Sequence, residues 1–335
     1  MKKSDVVQQI LGTNLYGEPK RATAKVFAPT NIALCKYWGK RDQELNLPMT
    51  SSLSVSLGDK GAATELVVSS HPYDLVYLNN DPIDLTTSFG KRLIQFLDLF
   101  RNKTMPRFIV NIESNIPIAA GLASSSCGFS ALIQVLDHLF GWQLSLTQLS
   151  ILARLGSGSA SRSIWQGFVE WHAGVKEDGM DSFGEPIPDV WPDLCIGLLI
   201  VSEKEKALSS RDAMQRTVTT SPFYSAWPVK VSKDLALIKQ AISVHDFPLL
   251  GRTAESNAMS MHATMLSAWP AITYMLPESL LAMQKIWQLR RDGLPLYFTQ
   301  DAGPNLKLLF LKRDAELVAK EFPEMEIIEP FKQPS

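Results

Sequence analysis

The stretch from Phe108 to Phe140 constrains the fold most. "FIVNIES" (Phe108–Ser114) alternates apolar and polar residues, the period of a strand. The pattern then breaks into "IPIAAGLASSSCGF" (Ile116–Phe129), a run of small residues and hydroxyls. Phe129, Leu132, Ile133, Leu136 and Phe140 follow at helical spacing, and Gly141 ends the stripe. A strand, a small-residue turn and a helix thus stand in immediate succession. Strands and helices are mixed in this way in both halves of the chain. The expected class is α+β, in layers, and not a doubly wound parallel sheet.

The remaining pattern fits this class. Ala24–Ala33 reads as a strand entering a loop at Pro29. "SSLSVSL" (Ser51–Leu57) reads as a half-buried strand, with "ATELVVSS" and "DLVYLNN" as the next two. The spacing predicts helices over Ser88–Phe100, Thr147–Arg154, Ala226–Val244, Leu249–Ser267 and Pro277–Asp292. "LYFTQDAGPNLKLLFL" reads as strand, turn, strand, and "RDAELVAKEF" as a closing helix. The proline-rich "GEPIPDVWPD" (Gly184–Asp193) marks the expected domain boundary. This gives a polar extension or short adaptor helix over 1–22, one domain over 23–190 and a second over 191–335.

Composition narrows the function. A net charge of −1 over 335 residues carries no polyanion-binding signature, so any anion site must be local and nucleic acid is not expected as a partner. No apolar run reaches 18 residues, which argues against a membrane span, and "MKKSDVVQQILG" lacks the apolar region of a secretion signal. Cys35, Cys127 and Cys195 are odd in number and far apart, against a disulfide framework and against a zinc site, and a cytoplasmic setting is the simplest.

Four segments carry candidate chemistry, each beside a plainer reading. In Ile116–Phe129, a turn running into a helix N-terminus frees N–H groups for an anion. Gly121 widens the backbone choice, Ala119, Ala120 and Ala123 allow close approach, and Ser124, Ser125 and Ser126 add hydroxyls. A serine N-cap on a buried helix is the alternative. "GSGSASRS" (Gly156–Ser163) sets Arg162 among small residues, for capture of a carboxylate or phosphate, or else is a surface loop. "NIALCKYWGKRD" brings Asn31, Lys36, Tyr37, Trp38, Lys40 and Arg41 together as a local positive patch, or as a solvated edge with an aromatic anchor. "DAGPN" (Asp301–Asn305) places an acid before a Gly-Pro turn, where Asp is common for local reasons and where it can also act as a base. The histidines share no ligand spacing, and His262 either lines a pocket or sits in the core or at the surface.

In order along the chain, "APTNIALCKYWGKRD", "PIAAGLASSSCGF", "GSGSASRS" and "DAGPN" resemble the diphosphomevalonate decarboxylases of the GHMP kinase superfamily, from about Lys25 to Glu321. The resemblance implies a two-domain fold, ribosomal-S5-like then ferredoxin-like, with the site in the cleft. It implies that ATP phosphorylates the 3-hydroxyl of mevalonate 5-diphosphate, with loss of phosphate and CO2 giving isopentenyl diphosphate. Related activities are a mevalonate 3-kinase and a decarboxylase of mevalonate monophosphate. A non-catalytic binding module is the reading from another class.

By the same resemblance, Asp301, Lys36, Arg162 and Asn31 are the catalytic set, with Asp301 as base or orienter and Arg162 on the substrate carboxylate. Tyr37, Trp38, Gly39, Lys40, Ser157, Gly158, Ser159, Ala160, Ser161 and Arg211 would bind substrate. Ala119, Ala120, Gly121, Leu122, Ala123, Ser124, Ser125, Ser126 and Ser209 or Ser210 would meet ATP, with magnesium bridging the nucleotide and no separate metal site. A cytoplasmic homodimer is the implied assembly. Arg211 stands where family members often have Thr, and Cys127 where Ala is common.

Overall fold

Two large antiparallel-rich sheets, a small two-stranded one and the helices laid against them make up the described residues. The computed structural model describes residues 1–102, 104–116, 124–204 and 208–332. The first half runs α1 (Lys3–Leu11), β1 (Thr23–Cys35), β2 (Lys40–Asp42), β3 (Leu47–Pro48), β4 (Ser52–Ser69), β5 (Leu75–Leu78), β6 (Asp81–Pro82), α2 (Ser88–Leu97), β7 (Arg107–Ser114), α3 (Ser124–Phe140), α4 (Leu146–Gly156), β8 (Phe168–Trp171) and β9 (Gly184–Pro186). The second half runs β10 (Leu194–Leu199), α5 (Ser210–Thr220), α6 (Trp227–Ser243), α7 (Phe247–Leu266), α8 (Pro277–Arg291), β11 (Tyr297–Gln300), β12 (Leu306–Leu311), α9 (Ala315–Glu321) and β13 (Glu326–Ile328).

The first sheet has the order β6-β5-β7-β4-β8-β9, with β1 also on β4. Its one parallel pairing among the described strands is β5 with β7. The second has the order β11-β12-β10-β13, and its pairings are antiparallel. The class is α+β, as the mixed pattern predicts.

Two strand expectations are corrected. β1 does not leave the sheet at Pro29 but continues to Cys35, with its register shifting between Pro29 and Asn31. "SSLSVSL" and "ATELVVSS" belong to the single strand β4. Glycine explains both. Pro29 pairs with Gly61, and a Cβ at Gly61 would lie 2.1 Å from the Ala28 carbonyl oxygen. A glycine that reads as a strand break in sequence here permits close backbone approach inside a strand. The first part of β4 is also buried on both faces, Ser52, Ser54 and Ser56 included.

This long pairing positions the site. β1 carries Asn31 at its shifted register and ends at Cys35, so Lys36 follows at the sheet's rim. Helices α6 and α7 pack on β1, and α7 also packs on β11. Ile32, Leu34, Ala254, Met261 and Leu309 share one buried cluster, so an apolar core runs from one sheet to the other. Burial of each larger side chain among them, Ile32, Leu34, Met261 and Leu309, contributes about 1.5–3 kcal/mol. The β11–β12 turn, with Asp301, is thereby held against the end of β1.

Ahead of the sheets, α1 is a helix and not a loose polar arm. Val6 and Val7 are fully buried and Leu11 nearly so. No helix among the described residues is long and apolar enough to cross a membrane.

Candidate active site

Asp301 lies between two buried lysines. Lys36 Nζ donates to Asp301 Oδ1 at 2.7 Å, and Lys307 Nζ stands 3.3 Å from Oδ2. The lysine side chains are 2% and 3% exposed, whereas Asp301 keeps 30%. Burial alone would raise the Asp301 carboxyl. The charges and hydrogen bonds of Lys36 and Lys307 outweigh it and hold the carboxyl well below the usual carboxylate range. Burial lowers the Lys36 ammonium against the opposing pull of Asp301. The Asp301 backbone is also fixed: its carbonyl lies 3.1 Å from His262 Nε2, which must donate because a carbonyl only accepts. Burial, then the Lys36 charge, pushes His262 down to about 4, so the ring is neutral.

Lys36 is held from its own side as well. Its ammonium donates to the Ala33 carbonyl at 2.7 Å, and its backbone N–H donates to Asn257 Oδ1 at 2.8 Å. Asn257 Nδ2 in turn donates to Asp234 Oδ2 at 2.7 Å, and Lys230 bridges Asp234 at 2.6 Å. Helices α6 and α7 thus fix the residue that follows β1.

Arg162 ends a short 3-10 turn over Gly158–Arg162, just after α4. Its Nε and Nη2 donate to Asn31 Oδ1 at 3.3 Å each, and its Nη1 donates to Ser52 Oγ at 2.5 Å. Asn31 is itself held by Ser163 Oγ at 2.8 Å and the Ser159 carbonyl at 3.3 Å. Burial lowers the Arg162 guanidinium to about 10, while Asp301 pulls the other way, so the group stays charged at neutral pH. A guanidinium has five N–H donors. Those three bonds leave donors for an anion.

The other candidate residues group around this pair. Gly158 lets aromatic rings close in: a Cβ there would lie 2.8 Å from Trp171 and 3.0 Å from Tyr37. Those two rings meet edge to face at 4.8 Å, with the Tyr37 hydroxyl buried and unpartnered among the described residues. Ser125, Ser157 and Ser159 form a chain of hydroxyls at 3.2 and 3.3 Å, joining the start of α3 to the Arg162 turn. Ser161 is buried and closes its own turn on the Gly158 carbonyl at 2.6 Å, and Ala160 is also buried. Ser126 is fully buried. Ala119, Ala120, Gly121, Leu122 and Ala123 lie outside the described residues, and Ser124 is placed only as the first residue of α3.

Gly39 adopts φ +112°, a conformation suited to glycine, and a Cβ there would overlap the Tyr224 hydroxyl. That hydroxyl donates to the Trp38 carbonyl at 2.9 Å. The Trp38 indole is buried, its N–H unpartnered among the described residues. Lys40 donates to Asn46 Oδ1 at 2.6 Å. Burial, then the charges of Arg211, Lys3 and Arg92, pushes Lys40 down to about 7. Arg211 follows Ser210 in the first turn of α5, whose N-cap is Ser209, with its hydroxyl bonded to Asp212.

Sequence reasoning missed Lys307, Asn257, Ser52 and Arg92. Lys307 had a signal, a lone lysine inside the apolar run "LKLLFL" of a strand. Asn257, Ser52 and Arg92 reach the site through contacts 221, 110 and 64 residues apart in sequence, which local pattern does not reveal. No group of three or more His, Cys, Asp or Glu side chains gathers as a metal site among the described residues.

Known proteins share this arrangement of chain. Residues 28–184 match the family model of the diphosphomevalonate decarboxylase-like N-terminal domain, and 196–332 that of the mevalonate 5-diphosphate decarboxylase C-terminal domain. The diphosphomevalonate decarboxylase of Aspergillus fumigatus is 38% identical over 320 residues, 88% of this chain and 78% of the relative. That of Saccharomyces cerevisiae is 37% identical, covering 86% and 78%. A solved complex described as "MDDEF in complex with MVAPP, AMPPCP and Magnesium" superposes with a TM-score of 0.86 at 40% identity, over 92% of this chain and 96% of that one. The mevalonate diphosphate decarboxylase from Staphylococcus aureus does so with 0.86 at 34%, over 92% and 95%. With both halves matched in order, and relatives alike over most of their length, the chain belongs to the diphosphomevalonate decarboxylase family of the GHMP kinase superfamily.

Proposed function

We propose that the chain catalyses the ATP-dependent decarboxylation of mevalonate 5-diphosphate to isopentenyl diphosphate in the mevalonate pathway. The observation that carries this is the Asp301 carboxylate, ionised between Lys36 and Lys307 and partly open to solvent beside the Arg162–Asn31 pair. Asp301 accepts a hydrogen bond from the substrate 3-hydroxyl and orients its oxygen. A carboxylate held so far below the usual range is a poor proton acceptor, which favours orientation, with the hydroxyl proton passing to an oxygen of the transferred phosphoryl group as the new O–P bond forms and the bond to ADP breaks. Lys36 neutralises charge on the phosphoryl group in transit to that oxygen. Magnesium arrives with the nucleotide phosphates and supplies further charge neutralisation.

Arg162 grips the substrate carboxylate. When the C3–oxygen bond breaks, phosphate leaves and C3 gains positive character, which the Asp301 charge stabilises. The C1–C2 bond then breaks, its electron pair forms the C2–C3 double bond, and CO2 departs. Lys40 and Arg211 take the 5-diphosphate, with Ser157 and Ser159 lining the substrate. The start of α3, with Ser125, meets the ATP phosphates. The working form is a cytoplasmic homodimer with no nucleic-acid partner, and each chain divides into two domains near residue 190.

Incubation with ATP, magnesium and, separately, mevalonate, its 5-phosphate and its 5-diphosphate tests the reading. Release of CO2 from the diphosphate alone is expected. CO2 from the monophosphate alone would move the substrate, and ADP without CO2 would reduce the chain to a kinase.

A further inference from the structure

Helix α1 lies ahead of the segment that the family models match, which begins at residue 28. It is nevertheless built into the wall of the site. It packs on α4, with Val6, Val7 and Leu11 buried. That packing sets its first residue beside the β2–β3 turn, where Lys3 N–H donates to Glu44 Oε1 at 3.4 Å. The same turn carries Asn46, which accepts from Lys40 and donates to the Arg154 and Leu155 carbonyls at 2.9 and 3.2 Å. The next carbonyl, Gly156, accepts from Arg92 Nη2 at 3.3 Å. Lys3, Lys40 and Arg92 are thus gathered around the end of α4, where the substrate turn begins.

The negative end of the α4 dipole accounts for part of this cluster, since Arg92, and Lys40 through Asn46, attach there. It does not account for Lys3 or Arg211, which bond no α4 carbonyl among the described residues. Burial and then neighbouring charge depress Lys3 and Arg92: Glu44 supports Lys3, Arg211 and Arg92 oppose it, and Arg211 opposes Arg92. No ion pair joins Lys3, Lys40, Arg92 or Arg211 to a carboxylate among the described residues. Three half-buried cations and the exposed Arg211, with Glu44 as the carboxylate supporting Lys3, carry an excess of positive charge that suits a polyanion.

We infer that Lys3, delivered by α1, is a substrate-binding residue whose ammonium joins Lys40, Arg92 and Arg211 in receiving the 5-diphosphate. This rests on the function proposed above. Helix α1 is then part of the binding site, not an appendage.

Lys3→Ala and Lys3→Arg in the full chain test it, by steady-state kinetics and thermal unfolding. The KM for mevalonate 5-diphosphate should rise about fivefold to tenfold in Lys3→Ala, the effect of one partly screened charge. It should stay near wild type in Lys3→Arg, while kcat and the KM for ATP move less than about twofold in either variant. An unchanged KM in folded Lys3→Ala overturns the inference, as does an equal rise in both variants. Calorimetry with inorganic pyrophosphate separates the two proposals. Weaker binding by Lys3→Ala than by wild type supports the anion role even if wild type releases no CO2, an outcome that would sink the function alone. Equal binding overturns the role of Lys3.

Discussion

Asp301 and Lys36 face each other at 2.7 Å across the junction of two sheets, one side chain partly open to solvent and the other buried. With Lys307 on its other oxygen, the carboxylate stays ionised across the working pH range. In the reaction proposed, its value is a fixed negative charge. Asp301→Asn keeps the shape and removes the charge. Turnover should fall at least about 10³-fold, the upper range for loss of one preorganised electrostatic group. Binding of a non-hydrolysable ATP analogue, read by calorimetry, should persist. Near-normal turnover would remove Asp301 from the chemistry.

Asn257 acts through Lys36 and not on the substrate. Asn257→Ala would strand the buried Lys36 N–H, while Asp234 keeps Lys230 on both of its oxygens. The stranded group costs about 1–3 kcal/mol. Urea unfolding should show a loss of that order, with kcat falling more than KM changes. Full stability with full kcat would show that the α7 contact does not set the lysine.

The Arg162 fork spans Asn31 and Ser52 and still holds donors for an anion. Arg162→Lys keeps the charge and loses the fork. It should lower kcat/KM by about 10²-fold, as expected where planar bidentate geometry is needed. Kinetics within a few-fold of wild type would place the substrate carboxylate elsewhere.

Lys40 sets a pH dependence. Its ordinary value is 10.5 and the folded site holds it near 7, so at pH 8 the free protein carries it mostly neutral. A diphosphate favours the ammonium and raises its pKa. Binding should therefore take up a proton at pH 8, and affinity should fall as pH rises through about 7. At pH 6 this group is already charged and contributes no uptake. Calorimetry in two buffers of different ionisation enthalpy reads the uptake directly, and none at pH 8 would contradict the assignment.

Gly39→Ala tests the turn that aims Lys40. A Cβ at φ +112° meets the Tyr224 hydroxyl, and relief requires breaking its bond to the Trp38 carbonyl. A loss of about 1–3 kcal/mol is expected from the backbone alone, with a higher KM for mevalonate 5-diphosphate. An unaltered melting temperature would show that the turn yields.

Much of this was legible in the sequence where chemistry is local. Asp301, Lys36, Arg162 and Asn31 stand in compact segments that local pattern leaves open between site and scaffold, and the resemblance to the decarboxylases is what singles them out. The longer helices followed from the 3.6-residue period. What failed depended on glycine and on distance. The segments on either side of Gly61 read as two strands, yet Gly61 lies within the single strand β4, where the crossing backbone leaves no room for a side chain. Residues 1–22 read as a polar extension or a short adaptor helix, and only the structure shows Val6 and Val7 buried in a helix that packs on α4. Lys307 and Asn257 come to Asp301 and Lys36 from elements whose own patterns are those of ordinary core.

The most direct measurement is the ratio of ADP to CO2 formed from mevalonate 5-diphosphate with ATP and magnesium. A site that orients the 3-hydroxyl, moves phosphoryl to it and holds the carboxylate for cleavage must produce the two in a ratio of one to one. ADP accumulating with no CO2 would contradict the account.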